Sequence, residues 1–93
     1  MDYPQNLKKR VNDILRNFVM KNFLYGDERV VLGDQDSFLE KGIIDSTGVL
    51  ELVAYLEEEF SINTADEEIV PEHFDSLSNL TSYIVGKIIK REA

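Results

Sequence analysis

Apolar residues recur at helical spacing in three stretches of the chain, and each stretch predicts one amphipathic helix. The first stripe predicts a helix over residues 5–23, the second over residues 46–60, and the third from residue 77 onward. The stripes are, in chain order, Leu7, Val11, Ile14, Leu15, Phe18 and Asn22; Val49, Leu52, Val53, Leu56 and Phe60; and Leu77, Leu80, Ile84, Val85 and Ile88.

The segment between the first two helices, residues 24–45, keeps no regular period. Three glycines and several aspartates interrupt it, which is typical of a loop. Val30-Val31-Leu32 resembles a short strand, but no second strand candidate exists to pair with it. We therefore predict a long ordered loop, with one helical turn at residues 36–39. The apolar residues expected to pin it to the core are Leu32, Phe38, Leu39, Ile43 and Ile44.

Capping residues mark where the helices begin. Asp45 is a natural N-cap for the second helix, and Ser76 for the last. Pro71-Glu72-His73-Phe74 predicts a short third helix or turn, and basic residues near the end of the last helix suit its dipole. The prediction is an all-α single domain over residues 1–93, with three main helices, one short helix and a long first loop.

Composition narrows the classes of partner. The formal net charge of −8 argues against nucleic acid and against anionic membrane surfaces. It favours partner proteins with basic surfaces, found by electrostatic steering. The chain has no apolar signal region and no apolar run long enough to span a bilayer, so we expect a cytoplasmic protein. It has no cysteine, and therefore no disulfide and no thiolate metal site. We also expect a monomer.

The second predicted helix has two faces. At 100° per residue, Leu50 and Ala54 fall outside the core stripe, beside Thr47 and several glutamates. The result is a small apolar strip with an acidic rim, running down from Ser46. Such a strip suits transient docking, although a solvated face with one incidental leucine has the same pattern.

Ser46 follows the predicted N-cap directly. A serine there lies near unpaired backbone N–H groups and the positive end of the helix dipole, which favour a phosphate ester on its oxygen. Asp45 opposes this by its own charge, so a partner cation is implied when phosphate arrives. Two interpretations stay open at this point: a simple helix cap, or the attachment point of a phosphate-linked group.

The residues around Ser46 resemble a known family. Gly42-Ile43-Ile44-Asp45-Ser46-Thr47 and the following Glu51-Leu52-Val53 and Leu56-Glu57-Glu58-Glu59-Phe60 are similar to the acyl carrier protein signature. The similarity extends to Asp66-Glu67-Glu68 and to Phe74-Asp75-Ser76-Leu77, and covers roughly residues 7–90. It implies an acyl-carrier-protein-like four-helix bundle.

The resemblance also implies a function. Ser46 would carry 4′-phosphopantetheine, moved from coenzyme A by a phosphopantetheinyl transferase with Mg²⁺, and its thiol would hold cargo as a thioester. Asp45 would help the transferase recognise the site. The partners would be acyl- or aminoacyl-loading and acyl-transfer enzymes with basic docking surfaces. The positions that would dock on them are Thr47, Leu50, Glu51, Ala54, Glu57 and Glu58.

Two residues depart from the family pattern. Thr47 stands where the family usually has Leu or Met, and Ala54 replaces a larger residue, so the strip is less apolar. The segment 70–76 is more similar to carriers of specialised pathways. The cargo therefore stays open between acyl intermediates of fatty-acid-like or specialised biosynthesis and aminoacyl or peptidyl groups of a nonribosomal-type pathway.

Other functional classes fit less well. Ser46, His73 and Asp45 lack the strand and glycine elbow of a hydrolytic triad. The spacing of Asp34, Asp36 and Asp45 matches parts of a calcium loop, but Leu39 stands where glycine is required. We predict no catalytic residue and no metal site, hence no enzyme. The remaining rival is an unmodified helical protein-interaction module.

Overall fold

The computed structural model of the chain describes residues 3–27 and 29–92. Four α-helices, α1 (Tyr3–Asn22), α2 (Ser46–Phe60), α3 (Pro71–Phe74) and α4 (Leu77–Glu92), follow one another with a single 3₁₀ turn, Asp66–Glu68, before α3. No β-strand occurs within these residues. The predicted all-α class, with three main helices and one short helix, is confirmed.

The core lies between α1, α2 and α4. It is closed by side chains of the long loop and of α3, and α1 and α4 form the most extensive helix pair. The bounds of α2 match the predicted 46–60, whereas α1 begins two residues earlier and ends one residue earlier than predicted.

One position of the first predicted stripe was wrong. Asn22 is exposed, and its side-chain amide donates to the carbonyl of Phe18 at 3.0 Å. Val19, which the prediction left out, is fully buried instead. It lies four residues after the buried Leu15, so Val11, Leu15 and Val19 form one continuous buried stripe along α1.

The long first loop is ordered by side-chain hydrogen bonds to its neighbours. Arg16 of α1 bonds to the carbonyl of Leu32 and to the carboxylate of Asp34, and the Asp34 carbonyl accepts the N–H of Ser78 at 2.8 Å. The predicted helical turn is present one residue later than expected, where Lys41 N–H donates to the Ser37 carbonyl at 3.1 Å.

The prediction of which residues pin this loop was correct except for one. Leu32, Phe38 and Ile44 are buried and Ile43 packs against the core, but Leu39 is 49% exposed. Asp75 holds the backbone at this point: its carbonyl accepts the Phe38 N–H at 2.9 Å and its carboxylate accepts the Leu39 N–H at 3.0 Å. That arrangement turns Phe38 inward and Leu39 outward.

None of the described helices combines the length and the apolar character needed to cross a bilayer.

Candidate functional site

Ser46 is the first residue of α2, and its cap is built by the residue before it. Asp45 has extended backbone angles, and its carboxylate accepts the Gly48 N–H at 2.8 Å while its carbonyl accepts the Val49 N–H at 3.0 Å. Asp45 is therefore the N-cap that the sequence predicts. The cap fixes the backbone at the start of α2, where Ser46 lies.

The hydroxyl of Ser46 is accessible. The residue is exposed, and none of the described residues forms a hydrogen bond with its side chain. The backbone N–H groups of Ser46 and Thr47 form no hydrogen bond with any described residue, as expected in the first turn of a helix. An anionic group on this oxygen would lie beside these donors and the positive end of the helix dipole.

An apolar cavity opens beside Ser46, between α2, α3 and the turn of the long loop. We call it the α2–α3 cavity; its volume is about 230 Å³. Apart from Ser46 at one edge and Asp75 in the wall, its lining is apolar. The lining residues are Phe38, Leu39, Ile44, Val49, Ile69, Val70, Pro71 and Phe74.

The loop wall of this cavity is fastened by Asp75. Ser37 Oγ donates to one carboxylate oxygen of Asp75, and Leu39 N–H donates to the other. The same Ser37 oxygen accepts the Glu40 N–H at 3.1 Å. The end of α3 and the loop turn are thereby joined at the point where Phe38 and Leu39 border the cavity.

The predicted docking residues lie together on the outer face of α2. Thr47, Leu50, Glu51, Ala54 and Glu58 are all exposed, and Leu50 is 63% exposed despite its apolar side chain. The first and last turns of α2 contain no basic residue.

Glu57 differs from the other docking candidates. It is half-buried, and its carboxylate accepts the Thr64 N–H at 2.9 Å across the turn that follows α2. Glu57 therefore stabilises the turn after α2, and its carboxylate is less available to a partner than those of Glu51 and Glu58.

The contacts of His73 are with Glu68 and Tyr83, and not with Ser46 or Asp45. Its Nδ1 lies 2.8 Å from the Glu68 carbonyl, and its ring stacks on Tyr83 at 4.8 Å between centroids. Within the described residues, no hydrogen bond joins His73 to Ser46 or Asp45, so these residues form no triad. The described residues contain no group of three or more His, Cys, Asp or Glu side chains placed to hold a metal ion.

Two apolar residues of the cavity wall were not predicted to pack on another element. Ile69 and Val70 belong to no helical stripe, and Asp75 was named only as part of a sequence motif. The signal that could have indicated them is that Ile69 and Val70 are two consecutive apolar residues directly before Pro71. Their own short segment offers no apolar side chain to pack against, so they must pack on another element.

Protein-family models and curated proteins were both compared with this chain, and neither comparison gave a match.

Proposed function

We propose that this protein is an acyl carrier, which holds acyl intermediates as thioesters on a 4′-phosphopantetheine arm attached to Ser46 and delivers them to partner enzymes. One observation supports this most: the exposed hydroxyl of Ser46 lies at the start of α2 and at the edge of the apolar α2–α3 cavity. An attachment point and a space for apolar cargo are thus adjacent.

The residues around Ser46 fit such a group. Its phosphate would lie at the free N–H groups of the first turn of α2. The group, when attached, supplies the thiol that a chain without cysteine lacks. Asp45 keeps the first turn of α2 capped, so that the backbone that carries the serine is held in place.

The apolar lining of the cavity supports acyl cargo over aminoacyl cargo. Eight of its bordering residues, from Phe38 to Phe74, are apolar, and the carboxylate of Asp75 is already engaged by Ser37 and Leu39. An amino group placed there would exchange its water for a mostly apolar lining, which is unfavourable. An alkyl chain loses no hydrogen bond on entering such a space.

The exposed face of α2 supports delivery to basic partners. Glu51 and Glu58 flank the exposed Leu50 and Ala54, which gives a small apolar contact with a charged rim. A contact of this kind gives fast and reversible encounters, because charges steer the approach while little apolar area is buried.

Mass spectrometry tests the proposal. The purified protein is incubated with coenzyme A, Mg²⁺ and a broad-specificity phosphopantetheinyl transferase, and its intact mass is measured. We expect the wild type to gain the mass of one phosphopantetheinyl group, and Ser46→Ala to gain nothing while keeping its helical circular-dichroism spectrum. A wild type that gains no mass would leave the unmodified interaction module as the better account.

A further inference from the structure

A second depression lies on a different side of α2 from the α2–α3 cavity. We call it the junction groove. Its volume is about 320 Å³, and it runs between the end of α1, the end of the long loop and the first turn of α2. The residues that matter for its chemistry are Phe23, Tyr25, Ile43, Asp45, Thr47 and Glu51.

Gly48 allows the end of α1 to lie close to α2. A Cβ atom at this position would lie 3.0 Å from Cε1 of Phe23 and 3.0 Å from Cγ2 of Ile44. Because glycine has no such atom, Phe23 packs directly against the first turn of α2. The Phe23 ring also meets Phe18 edge to face, with 5.9 Å between centroids, which fixes this wall of the groove.

Tyr25 projects beside the groove from the turn after α1. Its φ is +53° and that of Gly26 is +73°, and the Tyr25 side chain is 86% exposed. Glycine or asparagine would adopt this backbone angle at a lower conformational energy than tyrosine does. An aromatic ring that is held out to solvent at such a place is available to a partner.

The groove has the charge to receive a cation. Asp45 uses one carboxylate oxygen for the Gly48 N–H, and neither Asp45 nor Glu51 forms an ion pair with any described residue. Asp45 and Glu51 are both exposed, and they border the same groove as the exposed Tyr25. A planar guanidinium can stack on a tyrosine and donate to carboxylates with its remaining N–H groups at once, which a lysine ammonium does less well.

We propose that the junction groove receives an arginine side chain of the enzyme that loads Ser46; this rests on the carrier function proposed above. The loading enzyme must bring its own reacting groups to the Ser46 oxygen, and Asp45 and Thr47, the residues on either side of Ser46, both border the groove.

Loading kinetics of three single variants test the role of Tyr25. Tyr25→Asn removes the ring but suits a positive φ, Tyr25→Phe keeps the ring, and Val31→Asn removes another exposed apolar side chain of the same loop. With coenzyme A, Mg²⁺ and the broad-specificity transferase, Tyr25→Asn is expected to raise the KM for the carrier about tenfold with kcat nearly unchanged. Tyr25→Phe and Val31→Asn are expected to match the wild type.

A second pair of variants tests the charge. Glu51→Gln and Glu67→Gln each remove one negative charge from an exposed residue, but only Glu51 borders the groove. Glu51→Gln is expected to lower kcat/KM several-fold at low salt and to flatten its dependence on ionic strength. Glu67→Gln is expected to keep the wild-type dependence.

The results separate the two proposals. If the wild type is not loaded at all, the carrier function is overturned and the groove proposal with it. If the wild type is loaded and Tyr25→Asn and Glu51→Gln are loaded with unchanged kcat/KM, the groove proposal alone is overturned. Equal losses in Tyr25→Asn and Val31→Asn would also overturn it, since the effect would not be specific to the groove.

Discussion

The carboxylate of Asp45 accepts the backbone N–H of Gly48 at 2.8 Å, and this bond sets both the start of α2 and the position of Ser46. Because Asp45 is the residue before Ser46, one side chain has a structural role as a cap and an electrostatic role beside the proposed attachment oxygen. The two roles can be separated by experiment, since a cap needs an oxygen and a recognition charge needs an ionised group.

Substitutions at Asp45 should therefore divide into two kinds. Asp45→Ala removes the cap and should lower the free energy of unfolding by about 1 kcal/mol, whereas Asp45→Asn should keep it nearly unchanged. Both variants should be loaded more slowly than the wild type if the charge serves recognition. Urea denaturation measures the first effect and transfer kinetics the second. Full-rate loading of Asp45→Asn would show that only the cap matters.

The α2–α3 cavity predicts that apolar cargo stabilises the fold. A ligand that binds only the folded state raises the melting temperature, so a medium-length acyl group on the arm should raise it above that of the unacylated form. Ile69→Trp should fill the cavity and abolish this rise. Ile89→Trp, a change at an exposed apolar residue of α4 outside the cavity, should preserve it. An undiminished rise in Ile69→Trp would contradict cargo binding in this cavity.

Arg91 fastens the end of α4 to the end of α2. Its guanidinium donates to the carbonyls of Phe60 and Ser61, each at 2.8 Å, where α2 has carbonyls without helical partners. Arg91→Ala should lower the free energy of unfolding by about 1 kcal/mol. Lys90→Ala, whose side chain makes no hydrogen bond to the described residues, should change it much less. Equal values for the two variants in urea denaturation would show that these bonds contribute little.

The pair of Glu68 and Lys87 predicts a pH dependence of stability. Lys87 Nζ lies 2.8 Å from Glu68 Oε1, and this hydrogen bond is the main cause that lowers the pKa of Glu68 and raises the pKa of Lys87. A lowered carboxyl pKa adds stability above the ordinary glutamate pKa, and that part is lost as pH falls through the lowered value. A raised lysine pKa adds stability below the ordinary lysine pKa, and that added stability is lost as pH rises through the raised value.

The difference in unfolding free energy between the wild type and Lys87→Met should therefore be largest between the ordinary glutamate and lysine pKa values. It should shrink as the solution is acidified below that range, and Lys90→Met should show no such trend. Urea denaturation at a series of pH values measures both. A difference that is constant from neutral to acidic pH would contradict the coupling of Glu68 to Lys87.

The sequence predicts the helices well, because their apolar spacing and capping residues are local. The bounds of α2 and the caps Asp45 and Ser76 follow directly from such signals: Ser76 Oγ accepts the Asn79 N–H at 3.1 Å, as a cap should. The acidic outer face of α2 follows from the same geometry. Its docking role, like the attachment role of Ser46, stays a prediction.

Features that depend on distant contacts could not be predicted in the same way. Leu39 was expected in the core, but Asp75 on another element decides which side chain of the loop turn faces inward. The engagement of Glu57 by Thr64 and the junction groove beside Gly48 likewise depend on how separate segments meet. No periodic pattern within one segment contains that information.

The most direct test of the account is the location of the added mass after loading by the transferase. Cleavage after Glu40 and Glu51 releases residues 41–51, in which the only hydroxyl side chains are those of Ser46 and Thr47. The account predicts that fragmentation of this peptide places one phosphopantetheinyl group on Ser46 and none on Thr47. An unmodified peptide, or a group on any other residue, would contradict it.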